Sequence, residues 1–230
     1  MSVGFDVISD LALGPEDNFN WEGKSQSLYC LVAGNISNDL RTIQQTLTHL
    51  SHFYQGVFYI TGALEYENVT NIAERAIHIG SICGNIRNVS LLYNHVVIID
   101  GVAILGANCW YGPHGTMDMV KTASIEAKQL EDISYLHQSI ERLQLHLDVK
   151  KIIVVTHSVP GPELYFGEED NDVYNQVPPN ASLSSDTMNK VTHWVFGSYN
   201  KEVDTVMDGV NYINNAYFKR NPYWAKRINV

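Results

Sequence analysis

The sequence predicts an α/β domain, and three observations carry that reading. Short, almost uninterrupted apolar runs at Leu28–Ala33, Val57–Thr61 and Lys151–Val155 suit strands covered on both faces. An amphipathic stripe separates the first two runs, which makes a parallel strand–helix–strand unit. Asp-Gly pairs at Asp100-Gly101 and Asp208-Gly209 each join two apolar runs, a hairpin signal that adds antiparallel pairing.

In chain order, Val3 to Ser9 forms a first strand ending at Asp10, and the Gly, Pro, Asp and Asn residues from Gly14 to Gly23 form a loop. After the second strand, Ser37 or Asn38 caps a helix with Leu40, Ile43, Leu47, Leu50 and Tyr54 on one stripe, stopped by Gly56. The third strand ends at Gly62. A second helix spans about Val69 to Cys83, with Ile72, Ala76 and Ile79 or Gly80 inward and Gly84 as its terminator. Leu91-Leu92, His95–Ile99 and Val102–Leu105 follow at short intervals. The longest helix covers about Thr122 to Leu147, with Ile133, Leu136, Ile140, Leu143 and Leu147 spaced to lie on a sheet. The strand leading to His157 comes next, then an irregular insertion over about 158–190, and the short strands Trp194–Gly197, Val203–Met207 and Val210–Ile213 close the chain.

A chain of 230 residues with 45% hydrophobic side chains suits one domain, 1–230. The absence of a long apolar run or a signal-like amino terminus leads us to expect no membrane association and a cytoplasmic, reducing location. Cys30, Cys83 and Cys109 lack metal-ligand spacing and fit buried free thiols. A net charge of −10 repels polyphosphates and argues against a nucleic-acid partner, and the basic pairs Lys219-Arg220 and Lys226-Arg227 are too small to reverse that.

Chemistry in open α/β sheets gathers outside the carboxyl ends of the strands. Five such ends here carry Asp10, Asn35, His157, Ser198 and Asn200 as polar groups that could converge. A histidine bonded to neighbouring backbone, and an aspartate capping local amides, are the structural alternatives for His157 and Asp10.

The order of these segments resembles the calcineurin-like metallophosphoesterases over nearly the whole chain. The matching places are Asp10-Leu11-Ala12, Gly34-Asn35, Gly62-Ala63-Leu64-Glu65, Thr156-His157 and Gly197-Ser198-Tyr199-Asn200, with Val97–Gly106, Trp110 and Asn214-Asn215 between and after them. The resemblance implies a metallophosphoesterase-like four-layer α/β/β/α sandwich of two mixed sheets flanked by helices. It also implies two divalent metals, one held at Asp10, Ala12, Asn35 and Asn200, the other at Asn35, Ala63, His157 and Ser198, with an assisting histidine at the place of Leu64. Ala12, Ala63 and Leu64 offer no ligand, and Asn35 carries no bridging charge.

A catalytically inactive member of such a fold is therefore expected, a pseudoenzyme acting through a protein partner or as a homo-oligomer, without a cofactor. Its interaction residues are expected in the insertion, at Tyr165, Phe166, Glu168, Glu169, Asp170 and Tyr174, where aromatic side chains suit an interface and the acidic run repels a phosphate ester. The alternative is a weak metal-dependent phosphoric ester hydrolase of the phosphodiesterase or nuclease type, with a single manganese or other divalent ion on Asp10, Asn35, His157 and Asn200. A third expectation is a nucleotide or phosphate held without turnover by the amides of the Gly34 and Gly62 turns.

Overall fold

The structure, a computed structural model, describes residues 2–110, 119–164, 189–199, 201–217 and 223–230, with residues 119–122 and Pro162 described by backbone alone. Two mixed sheets stack face to face. The first contains β1 (Gly4–Ile8), β2 (Tyr29–Ala33), β3 (Gly56–Ile60) and β4 (Val89–Leu91) in parallel, with β11 (Lys226–Asn229) antiparallel on the β1 edge. The second runs β5 (His95–Ile99), β6 (Val102–Ala107), β7 (Lys151–Thr156), β8 (Val191–Val195), β10 (Val210–Asn214) and β9 (Val203–Met207). Its four central strands are parallel, and the edge strands β5 and β9 are antiparallel hairpin partners of β6 and β10.

The alternation of side chains along each strand builds three apolar layers. Phe5, Val7, Leu31, Phe58 and Ile60 of the first sheet meet Ile104, Ile153, Val155, Val195 and Ile213 of the second between the sheets. The opposite faces carry Cys30, Val32, Val57 and Tyr59 toward α1 (Leu40–Ser51) and α2 (Ile72–Gly84), and Ala103, Leu105, Ile152, Val154 and Trp194 toward α3 (Met119–Leu145). Helices thus cover both outer faces, and the expected four-layer α/β/β/α sandwich is the architecture. Double coverage is why the central strands are apolar throughout.

Several local expectations need correction. Asp39, rather than Ser37 or Asn38, caps α1, its carboxylate accepting from Thr42 N at 2.8 Å, while Ser37 Oγ donates to the carbonyl of Leu13 at 2.7 Å. Tyr54 lies past the end of α1, where its hydroxyl donates to buried Asp6 and accepts from Trp21 Nε1. The α2 helix begins at Ile72 because Asn71 accepts from Glu74 N and so caps it. In α3, Leu136, Ile140 and Leu143 are buried and Ile133 half-buried, but Leu147 stands beyond the helix and is 85% exposed. Strand β11 contains Lys226 and Arg227, read from sequence only as a small basic pair; its Ile228 packs between the sheets.

Cys30, Cys83 and Cys109 are buried and free. Among the described residues no helix is long and apolar enough to cross a membrane.

Candidate functional site at the strand ends

The carboxyl ends of β1, β2, β3, β7 and β8 meet where the two sheets come together. Asp10 follows β1 in a left-handed turn, φ 51°, and is fully buried. Both its oxygens accept from Ser198 N, at 3.1 and 3.0 Å, and Oδ1 also accepts from Asn35 Nδ2 at 2.9 Å. Asn35 Oδ1 in turn accepts from Leu64 N at 2.8 Å, which fixes the amide with its NH₂ toward Asp10. Burial pushes the Asp10 carboxyl up to about 7, against the pull of the donors around it.

His157 lies on the other side of the same junction. Its Nδ1 is 2.9 Å from the carbonyl of Ala33, so this nitrogen carries the proton and the ring spans from the second sheet to the first. The ring fills a cradle of three glycines. A methyl group added at Gly34 would stand 2.5 Å from His157 Nδ1, one at Gly62 2.6 Å from Cε1, and one at Gly197 2.7 Å from Nδ1. Burial lowers the imidazole to about 4, so it is neutral at pH 7.

The sequence thus brings Asp10, Asn35, His157 and Ser198 into one neighbourhood. Asn200 and the expected interaction residues Tyr165, Phe166, Glu168, Glu169, Asp170 and Tyr174 lie outside the described residues. Ala12 is half-buried, Ala63 is exposed, and Leu64 contributes its backbone N–H to Asn35.

Sequence reasoning missed the weight carried by Glu65. The short 3-10 turn Leu64–Tyr66 swings its carboxylate under the β2 and β3 ends. There it accepts from Ile36 N at 2.6 Å, Gly62 N at 2.8 Å, Asn35 N at 3.1 Å and the Tyr59 hydroxyl at 2.8 Å. Burial keeps this carboxyl above its ordinary range even with four donors on it. An acidic residue three positions after a strand-ending glycine was the available signal. These bonds also correct the expectation of a phosphate at the Gly34 and Gly62 turns, because the chain's own carboxylate already occupies the Asn35 and Gly62 amides.

A divalent ion needs several anionic or imidazole donors at short range. Among the described residues no three His, Cys, Asp or Glu side chains come together as metal ligands. The groups nearest Asp10 are N–H donors, whose positive ends face the space a cation would need. The described residues do not fit a metal.

No protein-family model matches the chain, and no curated protein matches it. Solved structures do. The phosphopantetheinyl hydrolase of Mycobacterium tuberculosis superposes with a TM-score of 0.71 over 99% of this chain and 96% of its own, at 16% identity. The likeness is one of fold. A second solved structure gives a TM-score of 0.62 at 10% identity, with 99% of each chain covered. These findings correct the expected family: membership in the calcineurin-like metallophosphoesterases is not shown by any family model, and the strand-end segments that suggested it share a fold order without the motifs that define a family.

Proposed function

We propose that this protein acts by binding, without turnover at its strand ends, and that it holds a partner protein or a second copy of itself. The observation that carries this reading is the closed wiring of the polar centre. Asp10, Asn35 and Glu65 spend their hydrogen-bonding groups on one another, on the backbone amides of Ser198, Leu64, Ile36 and Gly62 and on the Tyr59 hydroxyl, where a catalytic centre would aim them at a substrate. Such a centre stitches the two sheets together and leaves recognition to the rim. On this reading the contacts come from the 158–190 insertion, through Tyr165, Phe166 and Tyr174 with Glu168, Glu169 and Asp170 beside them.

Sedimentation velocity on the full chain and on a chain lacking residues 165 to 176 tests this. Deletion is expected to abolish self-association while leaving Tm within about 2 °C. Equal association in both chains would overturn the role of the insertion, and a full chain that stays monomeric at all concentrations would remove the second-copy form of the proposal.

The fold shared with a phosphopantetheinyl hydrolase favours one second reading, a phosphoric ester hydrolase with a reduced one-metal site on Asp10, Asn35, His157 and Asn200. That reading requires the Asn35 amide to turn over. The turn would break its bonds to Asp10 and Leu64.

A further inference from the structure

Between β1 and β2 the chain runs through a long loop without regular structure, and part of it folds back over α1. Leu13, Pro15, Asp17, Asn18 and Phe19 of the loop enclose a cleft of about 200 Å³ together with Thr42, Gln45, Thr46 and His49 of α1. The four helix positions are spaced three, one and three residues apart, so they form one ridge beside the apolar stripe of Ile43, Leu47 and Leu50. Every side chain on that ridge is polar. Thr42 and Thr46 are 6% and 3% exposed, in a place where a helix packed under a loop ordinarily presents apolar side chains.

The loop's own anchors give the cleft its shape. Leu13 N donates to the carbonyl of Ile36 at 2.8 Å, Gly14 N to Asp17 Oδ2 at 2.8 Å, and Asp17 N to the carbonyl of Gly14 at 3.1 Å. Further along, Trp21 is pinned twice, its N donating to His49 Nε2 at 3.0 Å and its Nε1 to the Tyr54 hydroxyl at 2.7 Å, and Phe19 stacks on its ring at 5.6 Å. The bond to His49 fixes a tautomer. Because Nε2 accepts, the imidazole proton sits on Nδ1, and burial, with His52 nearby, lowers the ring below its ordinary pKa so that it is neutral at pH 7.

We propose that this cleft binds a neutral polyhydroxylated molecule of monosaccharide size. The lining matches the chemistry of such a ligand. Each sugar hydroxyl both donates and accepts, and the wall offers both roles: the Asp17 carboxylate accepts, the Asn18 and Gln45 amides do either, and His49 brings an Nδ1–H donor. Thr42 Oγ1 donates to Asp39 Oδ2 at 2.9 Å, which leaves its lone pairs to accept. Leu13, Pro15 and Phe19 supply apolar surface for the C–H face of a ring. The volume equals that of about six or seven waters, the scale of one sugar ring, and falls below the range that encloses a drug-sized ligand. Among the described residues that line the cleft, Asp17 is the only charged side chain, so with a net charge of −10 on the chain a phosphate or carboxylate ligand is repelled. A cation gains little, because Asp17 is exposed and an exposed ion pair contributes little. The proposal stands apart from partner binding through the insertion and does not depend on it.

The test is a ligand-observed NMR titration of the full chain with glucose, galactose, mannose, ribose, myo-inositol and glycerol, with glucose 6-phosphate and glucosamine as charged counterparts of glucose. At least one neutral compound is expected to bind with a Kd on the order of 1 mM or tighter. Gln45→Ala, at an exposed helix position that suits alanine, is expected to weaken that binding at least about fivefold with Tm unchanged. Asp17→Asn keeps an acceptor for Gly14 N, removes the charge, and is expected to weaken binding by a similar factor. Gln44→Ala, exposed on the same helix but outside the lining, is expected to leave the affinity as it is. No binding by any neutral compound up to about 50 mM would overturn the proposal. Equal affinity in wild type and either cleft variant would do the same, because the sugar would then sit elsewhere on the surface. A charged counterpart that binds tighter than glucose would overturn the ligand class.

Discussion

Replacing Glu65 with alanine is expected to destabilise the protein by about 4 kcal/mol, the largest single effect at the strand ends. The substitution strips the acceptor from three backbone amides, those of Asn35, Ile36 and Gly62, and from the Tyr59 hydroxyl, in a site with no exposure to solvent. Each buried donor left without a partner costs about 1–3 kcal/mol, and water entering the vacated space recovers part of the sum. In a chain of this size that loss corresponds to a fall in Tm of roughly 8–16 °C, readable by circular dichroism. Glu65→Gln keeps one acceptor oxygen and is expected to lose about half as much. A loss below about 1 kcal/mol for Glu65→Ala would mean that the carboxylate is not what organises the β2 and β3 ends.

The second large effect belongs to Gly34→Ala, expected to cost at least about 3 kcal/mol. Gly34 has φ +82°, where a side chain is strained by itself. The added methyl group would also stand 2.8 Å from Gly62 N and 2.5 Å from His157 Nδ1. The backbone of Gly62 cannot rotate away, and the histidine is locked by the carbonyl of Ala33. A double-mutant cycle with His157→Ala separates the two overlaps. The pair is expected to be less destabilised than the sum of the single variants by about 1 kcal/mol, because the histidine clash vanishes while the backbone clash persists. Strict additivity would place His157 outside the glycine cradle.

These two residues mark what the sequence discloses and what it hides. Apolar runs such as Val57–Thr61 and Lys151–Val155 show their double coverage directly, because burial on both faces removes polar alternation. The hairpins at Asp100-Gly101 and Asp208-Gly209 were equally legible, since a tight turn demands those residue types and both aspartates have positive φ. Strand β11 was hidden. A four-residue edge strand with one inward side chain, Ile228, has too little periodicity to stand out beside Lys226 and Arg227.

At the site, residue types at strand ends located Asp10, Asn35, His157 and Ser198, because topology gathers strand ends whatever they do. Their roles were not legible. Whether a carboxylate faces a cation or an amide depends on backbone N–H directions, and the left-handed turns at Asp10, Asn35 and Ser198 set those directions. Asp132, whose buried carboxylate accepts from Cys109 N at 2.9 Å, was hidden for a related reason. In the α3 pattern it reads as one more charged helix residue, and only the fold carries it under the Cys109 turn.

The central proposal is that Asp10 and His157 tie the two sheets together in place of holding a metal. Elemental analysis of the purified full chain after incubation with excess manganese, against a chelator-treated control, tests it most directly. The wiring of Asp10 to Ser198 and Asn35, and of His157 to Ala33, predicts less than about a tenth of an equivalent per chain. One or two tightly held equivalents, lost in both Asp10→Ala and His157→Ala, would contradict the account and restore a metal-dependent hydrolase as its replacement.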